Sequence, residues 1–342
     1  MIRRPIVPPY MLEALARNGD ASQRERAQRA LATDSAHRER RAAGAPREAA
    51  GAATDSPQRT ISDAAGATAL TGLRTLRAEG DPPSGDAAAD EAYDGLGATW
   101  TFWSEVFGRR SIDDRGMPLR GVVHYDRDYD NAFWDGTRMI FGDGDGQLFT
   151  RFTRSLDVIG HELAHGVTED EAGLAYEGES GALNESVSDV FGSLVKQYHL
   201  DQTAEHADWL IGADIRGPQF HGSALRSMTA PGTAYDDPVL GKDPQPADYA
   251  GFVKTSEDSG GVHINSGIPN RAFATLAIGL GGPSWATAGT VWYEALRDAR
   301  LQASAGFADF GRITQAVATN RFDDAVAQAV TAAWATVGVT WP

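Results

Sequence analysis

Residues 158–165 read Val-Ile-Gly-His-Glu-Leu-Ala-His, a pattern that predicts a metal site on a helix. Because His161 and His165 are four residues apart, a helix places both imidazoles on one face, where they can bind the same ion. Glu162 stands beside the first histidine, where it can handle the proton of an attacking water rather than bind the metal. The motif is only moderately specific by itself, so the prediction depends on ligands elsewhere in the chain.

A catalytic zinc ion commonly has three protein ligands, which requires a third side chain besides the two histidines. Glu185 lies in residues 181–189, whose apolar spacing fits a second helix. Asp189 is four residues further along and shares a helical face with Glu185. A carboxylate at this place can accept the other ring N–H of a ligand histidine and fix its orientation. We therefore expect one Zn²⁺ bound by His161, His165 and Glu185, with Asp189 behind them.

The composition limits the classes of function. The chain has 342 residues, enough for two lobes with a cleft between them. It contains no cysteine, which excludes disulfides, thiol catalysis and thiolate metal ligands. The formal net charge of −16 argues against nucleic-acid binding, which requires a basic patch. No apolar run approaches the roughly 20 residues that a membrane helix needs.

Charge is distributed unevenly along the chain. Residues 1–50 contain 10 Arg and 6 Asp or Glu, a net charge of +4, whereas the remaining 21 basic and 41 acidic residues give −20. A basic head and an acidic body attract each other, as expected of an intramolecular pro-segment. A solvated basic arm is the alternative that composition leaves open.

The first part of the chain predicts two helices. Residues 11–18 have helical spacing, and Gly19 can end that helix. Asp20 and Gln23 form a capping-box pattern, which would begin a second helix that continues to about Arg41.

A connecting segment follows these helices. Residues 42–56 are mostly Ala and Gly, a composition typical of an exposed segment that is easily cut. We place the boundary of the pro-segment within this stretch, which assigns residues 1–50 to it. The prolines at positions 5, 8 and 9 leave no apolar core for a secretory signal peptide.

The body of the chain predicts an α+β fold with two lobes. Short β-like runs at residues 59–62, 121–125 and 138–141 surround one amphipathic helix over residues 88–107, which indicates a mixed lobe. Beyond residue 184 the pattern becomes helical, with candidates near residues 268–280, 284–303 and 322–337. We expect an N-terminal α+β lobe that includes the zinc helix, residues 51–175, and a C-terminal helical lobe, residues 176–342.

Six segments together resemble the thermolysin family of zinc metalloendopeptidases. They are HELAH at 161–165, NESVSD at 184–189, NAFW at 131–134, GDGDG at 142–146, LRSM at 225–228 and GGVHINSG at 260–267. The likeness extends from about residue 60 to the C-terminus. The sequence PPYML at 8–12 resembles members of the family that are made with a short pro-segment. The resemblance implies the same two-lobed zincin architecture, with the active-site cleft between the lobes.

The resemblance also implies an activity and its catalytic residues. The reaction would be hydrolysis of internal peptide bonds by a neutral endopeptidase, with Glu162 as general base. Tyr176 and His263 match by position the residues that stabilise the tetrahedral oxyanion. Asp258 matches the carboxylate that orients His263.

Substrate contacts follow from the same resemblance. Asn131 and the carbonyl of Ala132 match groups that hold the substrate backbone, and Arg226 matches one near the specificity pocket. The walls of that pocket correspond to four apolar side chains, Phe149, Phe152, Val158 and Leu225. An apolar wall favours an apolar side chain just after the cleaved bond, at P1′, where burial contributes roughly 1.5–3 kcal/mol for a large aliphatic group.

The chain departs from the family at its calcium sites. Many relatives bind a pair of calcium ions beside the zinc helix, but here Lys196 stands where a carboxylate is expected. Its ammonium could lie between Asp157 and Asp208 and neutralise them, so we expect this double Ca²⁺ site to be absent. The acidic clusters at residues 126–130 and 143–146 lack the pattern of an EF-hand loop and predict turns.

Other interpretations remain open. The chain could be a catalytically silent protein that keeps the zinc scaffold for binding, or a zinc hydrolase that acts on something other than peptides. As partners we expect protein or peptide substrates and the pro-segment, residues 1–50, as an intramolecular inhibitor of a monomer, without nucleic acid or membrane. Secretion by a non-classical route is the expected localisation, and the cytoplasm is the alternative.

Overall fold

A computed structural model of the protein describes residues 5–42 and 56–342, with the side chains of residues 34–42 left out. It shows an α+β molecule with a helical N-terminal segment, a mixed lobe built on a five-stranded sheet, and a helical C-terminal lobe. Most of the predicted cut region, residues 42–56, lies outside the described residues. The division of the chain at residues 50 and 175 stays a prediction.

The N-terminal segment forms two helices, α1 (Pro9–Asn18) and α2 (Ala21–Ala42). The predicted capping box is confirmed, because the backbone N–H of Asp20 donates to Gln23 Oε1 and that of Gln23 donates to Asp20 Oδ1, both at 2.8 Å. Gly19 ends α1 with extended backbone, φ −67°, and not in the left-handed conformation that favours glycine. It is glycine because a Cβ would lie 2.6 Å from the carbonyl oxygen of Leu15.

The mixed lobe is a sheet with strand order β2-β1-β3-β5-β4. The inner strands β1, β3 and β5 are parallel, and the outer strands β2 and β4 run antiparallel to their neighbours. Helix α3 covers the sheet. The elements are β1 (Arg59–Asp63), β2 (Arg74–Ala78), α3 (Ala87–Phe107), β3 (Leu119–Val123), β4 (Ala132–Trp134) and β5 (Met139–Phe141).

Two strands of this sheet were not predicted from the sequence. Strand β2 is an edge strand in which the one buried residue is an arginine, Arg77, and the others are exposed or half-buried, so it lacks the apolar alternation that marks a half-buried strand. Strand β4 is only three residues long and buried throughout, which is too short for a periodic signal.

The remaining long elements are helices. They are α4 (Leu156–Glu171), α5 (Gly178–His199), α6 (Asp258–Asn265), α7 (Gly267–Leu280), α8 (Thr290–Leu296), α9 (Phe307–Arg321) and α10 (Asp324–Thr336). Two short antiparallel pairs lie between α5 and α6: β6 (Leu210–Ile211) with β7 (Arg226–Ser227), and β8 (Asp236–Asp237) with β9 (Gly241–Lys242). Among the described residues, no helix is long and apolar enough to cross a membrane.

The single helix predicted over residues 284–303 is wrong in extent. A π-helical turn, Trp285–Gly289, leads into α8, which ends at Leu296. The Asp298 carboxylate accepts the backbone N–H of Arg300 at 2.9 Å and also binds its guanidinium. Such local side-chain bonding competes with helix continuation.

Two glycines allow α4 and α5 to pack closely. A Cβ on Gly160 would lie 3.0 Å from the Cα of Gly192, and a Cβ on Gly192 would lie 2.4 Å from the carbonyl oxygen of Asp157. Because the helices touch backbone to backbone at this point, side chains that flank the contact on the two helices come close together. This contact positions the predicted metal ligands.

Candidate active site

Three buried side chains form the only group among the described residues that could hold a metal ion: His161 and His165 of α4 and Glu185 of α5. Their ligand atoms all lie within 4.8 Å of one another. Nε2 of His161 is 3.5 Å from Glu185 Oε2, and Nε2 of His165 is 3.4 Å from Glu185 Oε1.

The donor atoms fit a zinc ion. Nε2 of His161 and Oε2 of Glu185 are buried and have no hydrogen-bond partner among the described residues, although buried polar atoms are nearly always partnered. Two imidazole nitrogens and a carboxylate are the ligand set of many catalytic zinc sites. The thermolysin-like arrangement predicted for these three residues is therefore present.

The far ring nitrogens of both histidines are fixed by α5. Nδ1 of His161 is 2.8 Å from Asp189 Oδ1, as predicted. Nδ1 of His165 is 2.9 Å from Asn184 Oδ1 and 2.8 Å from Ser188 Oγ. These contacts direct Nε2 of each ring toward the cluster and set its tautomer. Asn184 and Ser188 were not predicted as partners, although their spacing of four residues places them on one face of α5.

Asp189 joins the metal cluster to the cleft. Its carboxylate accepts bidentate hydrogen bonds from Arg226, both at 2.8 Å, in addition to the contact with His161. Asn270 of α7 donates a further bond of 2.8 Å. Burial alone would raise the pKa of Asp189, but the Arg226 guanidinium and His161 outweigh it and lower the pKa below its ordinary value. Asn270 was not predicted, because it lies on a helix that is distant in sequence.

Glu162 faces strand β4. Its Oε2 accepts the backbone N–H of Trp134 at 2.9 Å, and the residue has no solvent exposure. It follows His161 directly on α4, so its backbone is next to that of a predicted metal ligand. This position agrees with the predicted role of a proton carrier but does not test it.

Tyr176 and His263 both contact the metal cluster through Glu185. The Tyr176 hydroxyl donates to Glu185 Oε1 and is 3.2 Å from His263 Nε2. His263 Nδ1 is 2.6 Å from Asp258 Oδ1, and its backbone N–H donates to Asp258 Oδ2 at 2.9 Å. Burial opposes protonation of His263, but the carboxylates of Asp258 and Glu185 raise its pKa to about 9.

A left-handed turn positions this histidine. Asp258, Ser259, Gly260 and Gly261 have φ values of 49°, 51°, 84° and 77°, a conformation that glycine adopts without steric cost. The turn folds the Asp258 carboxylate back beneath His263. The glycines of the GGVHINSG segment thus serve the orientation of its histidine.

The predicted substrate-binding groups are occupied by the N-terminal segment. Asn131 Oδ1 accepts the backbone N–H of Val7 at 2.9 Å, and its Nδ2 donates to the Val7 carbonyl at 3.1 Å. The Ala132 carbonyl accepts the N–H of Ile6 at 3.2 Å. Arg226 Nη1 donates to the Ile6 carbonyl at 3.1 Å. No sequence signal indicated that residues 6 and 7 would bind there.

The four predicted pocket walls, Phe149, Phe152, Val158 and Leu225, are at most 1% exposed. They belong to the same apolar cluster as Ile6 and Val7, which have no exposure. The rings of Phe149 and Phe152 are 6.0 Å apart. Their role in specificity stays a prediction.

Lys196 lies between two carboxylates, as the sequence suggested. Its ammonium donates to Asp157 at 3.1 Å and to Asp208 at 2.8 Å. Burial would lower the pKa of Lys196, but Asp157 and Asp208 raise it above its ordinary value. The lysine therefore stays charged and forms an ion pair with each acid.

Two family models match this chain. The thermolysin metallopeptidase catalytic domain matches residues 53–169, and the thermolysin metallopeptidase alpha-helical domain matches residues 172–339. The chain therefore belongs to the thermolysin family of metallopeptidases and is a thermolysin-like metalloendopeptidase.

The similar proteins include a precursor. The solved structure of the precursor of protealysin, a metalloproteinase from Serratia proteamaculans, is 51% identical, with a TM-score of 0.90 over 98% of this chain and 99% of that chain. An extracellular metalloprotease of Pectobacterium carotovorum subsp. carotovorum is 52% identical over 99% of this chain and 98% of its own length. Protease PrtS of Photorhabdus sp. is 49% identical over 84% of this chain and 77% of its own length. The likeness to a precursor over nearly the whole length supports the predicted precursor form.

Proposed function

We propose that this chain is the self-processing, latent precursor of a zinc-dependent endopeptidase that cuts before apolar side chains. The observation that carries the proposal is the pairing of Ile6 and Val7 with Asn131, Ala132 and Arg226. The backbone of these two residues, bound by the groups predicted to hold a substrate, supports a cleft that accepts a polypeptide backbone. The buried cluster of two histidines and a glutamate supports the chemistry.

The metal supplies Lewis acidity when it is bound, which polarises the scissile carbonyl and acidifies an attacking water. Glu162 then accepts the proton of that water and transfers it to the leaving amine. The Trp134 N–H orients the Glu162 carboxylate for both transfers. His263 and Tyr176 donate hydrogen bonds to the oxyanion that develops at the carbonyl, and Asp258 keeps the His263 ring in place.

Substrate binding follows the contacts that the N-terminal segment makes. Asn131 and the Ala132 carbonyl hold the backbone, and Arg226 binds the carbonyl of the residue after the cut. Two hydrogen bonds to Asp189 hold the Arg226 guanidinium in this orientation. The apolar walls Phe149, Phe152, Val158 and Leu225 favour an aliphatic or aromatic P1′ side chain. A profile of cleaved peptides that is dominated by charged P1′ residues contradicts this assignment.

Latency follows from competition for the same groups. As long as residues 6 and 7 occupy Asn131, Ala132 and Arg226, a substrate backbone cannot bind there. Cleavage between residues 42 and 56 releases this block, because the two helices are then no longer tethered. We assign residues 1–50 to the pro-segment on this basis.

Two further assignments complete the proposal. The Lys196 ammonium replaces the double calcium site, since it already neutralises Asp157 and Asp208. We assign the processed enzyme to secretion as a monomer by a non-classical route. The name of the Pectobacterium relative, an extracellular metalloprotease, supports the extracellular location alone. Activity that appears only inside the producing cells contradicts the secretion assignment.

One assay tests the function. The chain is allowed to process itself, and the Glu162→Ala variant is cut by a trace of the processed enzyme and purified from it. Casein hydrolysis is then measured for the processed chain with and without a zinc chelator, and for the cut variant. We expect hydrolysis by the processed form alone, and its loss in both treatments. A protein that binds zinc but hydrolyses no casein would instead support a silent scaffold.

A further inference from the structure

A pair of buried carboxylates lies outside the metal centre, next to the cleft. Asp130 immediately precedes Asn131, which binds the N-terminal segment, and Asp145 lies in the turn that follows β5. The side chains of both acids are 2% exposed. Asp130 Oδ1 accepts the backbone N–H of Asp145 at 2.9 Å, which holds the two carboxylates next to each other.

The surrounding turn fixes Asp145 independently of any partner. Its Oδ1 accepts the backbone N–H groups of residues 147, 148 and 149 at 2.8, 2.8 and 3.1 Å. Its Oδ2 is then directed away from the turn, toward helix α2. The carboxylate pair is thus a preformed acceptor on the catalytic lobe.

In the precursor an arginine side chain occupies this pair. Arg26 Nη2 donates to Asp145 Oδ2 at 2.6 Å, and its Nε lies 4.0 Å from Asp130 Oδ2. That oxygen of Asp130 is buried and accepts no hydrogen bond from the described residues. One turn later, Arg29 donates to the Arg127 carbonyl at 3.0 Å. The planar, forked guanidinium suits two adjacent carboxylates better than a compact ammonium does.

The Arg26 guanidinium counteracts the repulsion between these two carboxylates. Burial and the neighbouring Asp145 carboxylate raise the pKa of Asp130 well above its ordinary value, and Arg26 opposes them. Processing as proposed above removes Arg26 together with residues 1–50. The pair then faces solvent beside Asn131, with a vacant place for a guanidinium.

We propose that in the processed enzyme the Asp130–Asp145 pair is an exosite that binds an arginine side chain of a polypeptide substrate. The arginine would lie on the side of the cleft where Val7 lies in the precursor, after the cleaved bond. The inference rests on the proposed function, because processing must vacate the pair and a substrate must occupy the cleft. The exosite contributes binding only, so it lowers KM and leaves kcat unchanged.

Paired peptides test the exosite on the self-processed protein. All peptides share one apolar P1′ residue, and a single arginine is moved along the positions after the cut. Each arginine peptide is compared with one that carries neutral citrulline at the same position. We expect arginine to lower KM about five-fold at one or more positions, as for hydrogen bonds to a charged partner. Added NaCl should reduce this advantage.

Two variants test whether the arginine advantage depends on the Asp130–Asp145 pair or on the overall negative charge of the protein. Asp130→Asn keeps an oxygen that can accept the Asp145 N–H, and it should abolish the arginine advantage. Asp201→Asn removes the same charge from an exposed position after α5, where φ is +51°, a conformation that asparagine tolerates. This control should keep the advantage.

These experiments distinguish failure of the exosite from failure of the proposed function. If citrulline peptides are not cleaved either, the peptidase assignment fails. If they are cleaved but KM is equal within every pair, or if the arginine advantage survives Asp130→Asn, the exosite is wrong. If Asp130→Asn does not fold, the salt dependence of the unmodified enzyme decides the question. An arginine advantage that NaCl does not reduce would then overturn the exosite.

Discussion

Lys196 donates a hydrogen bond of 3.1 Å to Asp157, a carboxylate without solvent exposure in the first turn of the helix that carries His161. The same ammonium bonds to Asp208, which is partly exposed. A single positive charge thus compensates two acids at the start of the metal helix. Asp157 is four residues, about one helical turn, before His161 on the same helix.

Lys196→Met should destabilise the fold. The change removes the cation from a buried carboxylate whose remaining hydrogen-bond donors, the Ser155 hydroxyl and the Gly212 N–H, are neutral, and breaking a buried ion pair costs about 3–5 kcal/mol. Urea unfolding of the variant and of the unchanged chain measures this loss. Calcium should give the unchanged chain no stoichiometric increase in thermal stability, and a large increase would contradict the replacement of the calcium site by Lys196.

Glu162→Gln should abolish hydrolysis and keep the metal. Glutamine can still accept the Trp134 N–H, but it cannot take a proton from water, and loss of a general base lowers kcat by about 10²–10⁴. Peptide hydrolysis gives the rate, and atomic absorption gives the zinc content. Full zinc content with nearly normal kcat would exclude Glu162 as the proton carrier.

Asp189→Asn should weaken both metal binding and substrate binding. His161 and Arg226 share this carboxylate, and loss of such a partner typically lowers metal affinity by about 10–100-fold. Zinc release to a competing chelator measures the affinity, and KM reports on Arg226. Asp201→Asn is the matched control. A change in KM with zinc affinity intact would show that only the Arg226 contact matters.

Ile6→Asp should weaken latency. Ile6 has no solvent exposure, and a buried, unpaired charge is strongly unfavourable, so the segment should leave Asn131 and Arg226. Initial hydrolysis of a short peptide by freshly folded, uncut chain should therefore rise, with a gel confirming that no cleavage has occurred. Ile278→Asp is the control, because Ile278 is 40% exposed on α7. Equal activity of all three uncut chains would contradict the block by residues 6 and 7.

His124 should make stability depend on pH. Its ring nitrogens lie 2.8 Å from Asp143 and 3.0 Å from Asp86. The contact with Asp143 raises the pKa of His124, and Asp86 adds to this effect. Burial opposes it, and the resulting pKa is about 9. The unfolded value is about 6.5, so this contribution is complete below pH 6.5 and is lost as pH rises through 9.

The His124→Asn variant measures this contribution. Asparagine tolerates the positive φ of this position, 55°. Both chains carry Glu162→Gln so that self-cleavage does not interfere with urea unfolding. The stability difference should be larger at pH 6 than at pH 10, and a difference independent of pH would show that the histidine is not titrating in the folded state.

The sequence predicted the parts of the site that depend on local spacing. The two histidines four residues apart, and Glu185 with Asp189, are ordered by helical geometry alone. Contacts between distant segments had no local signal. Asn270 reaches Asp189 from another helix, and the pairing of Ile6 with Ala132 depends on how the N-terminal helices dock.

In the fold, too, elements with a local sequence signal were predicted and elements that depend on distant segments were not. Amphipathic helix α3 and the Asp20–Gln23 capping box were predicted because their signals lie within a few residues. Edge strand β2 and the three-residue β4 carry no periodic pattern, and both form because neighbouring strands pair with them. The end of α8 at Leu296 depends on the Asp298 carboxylate competing for backbone N–H groups.

Ile6 and Val7 belong to the same buried apolar cluster as the predicted walls of the cleft. In the uncut chain the groove proposed to bind a substrate is therefore shielded from solvent. The proposed removal of residues 1–50 would expose this groove to solvent in a single step. If the proposed self-processing also acts between molecules, the first processed copies cut the connecting segments of their neighbours. Maturation in a concentrated population should therefore start slowly and accelerate as it proceeds.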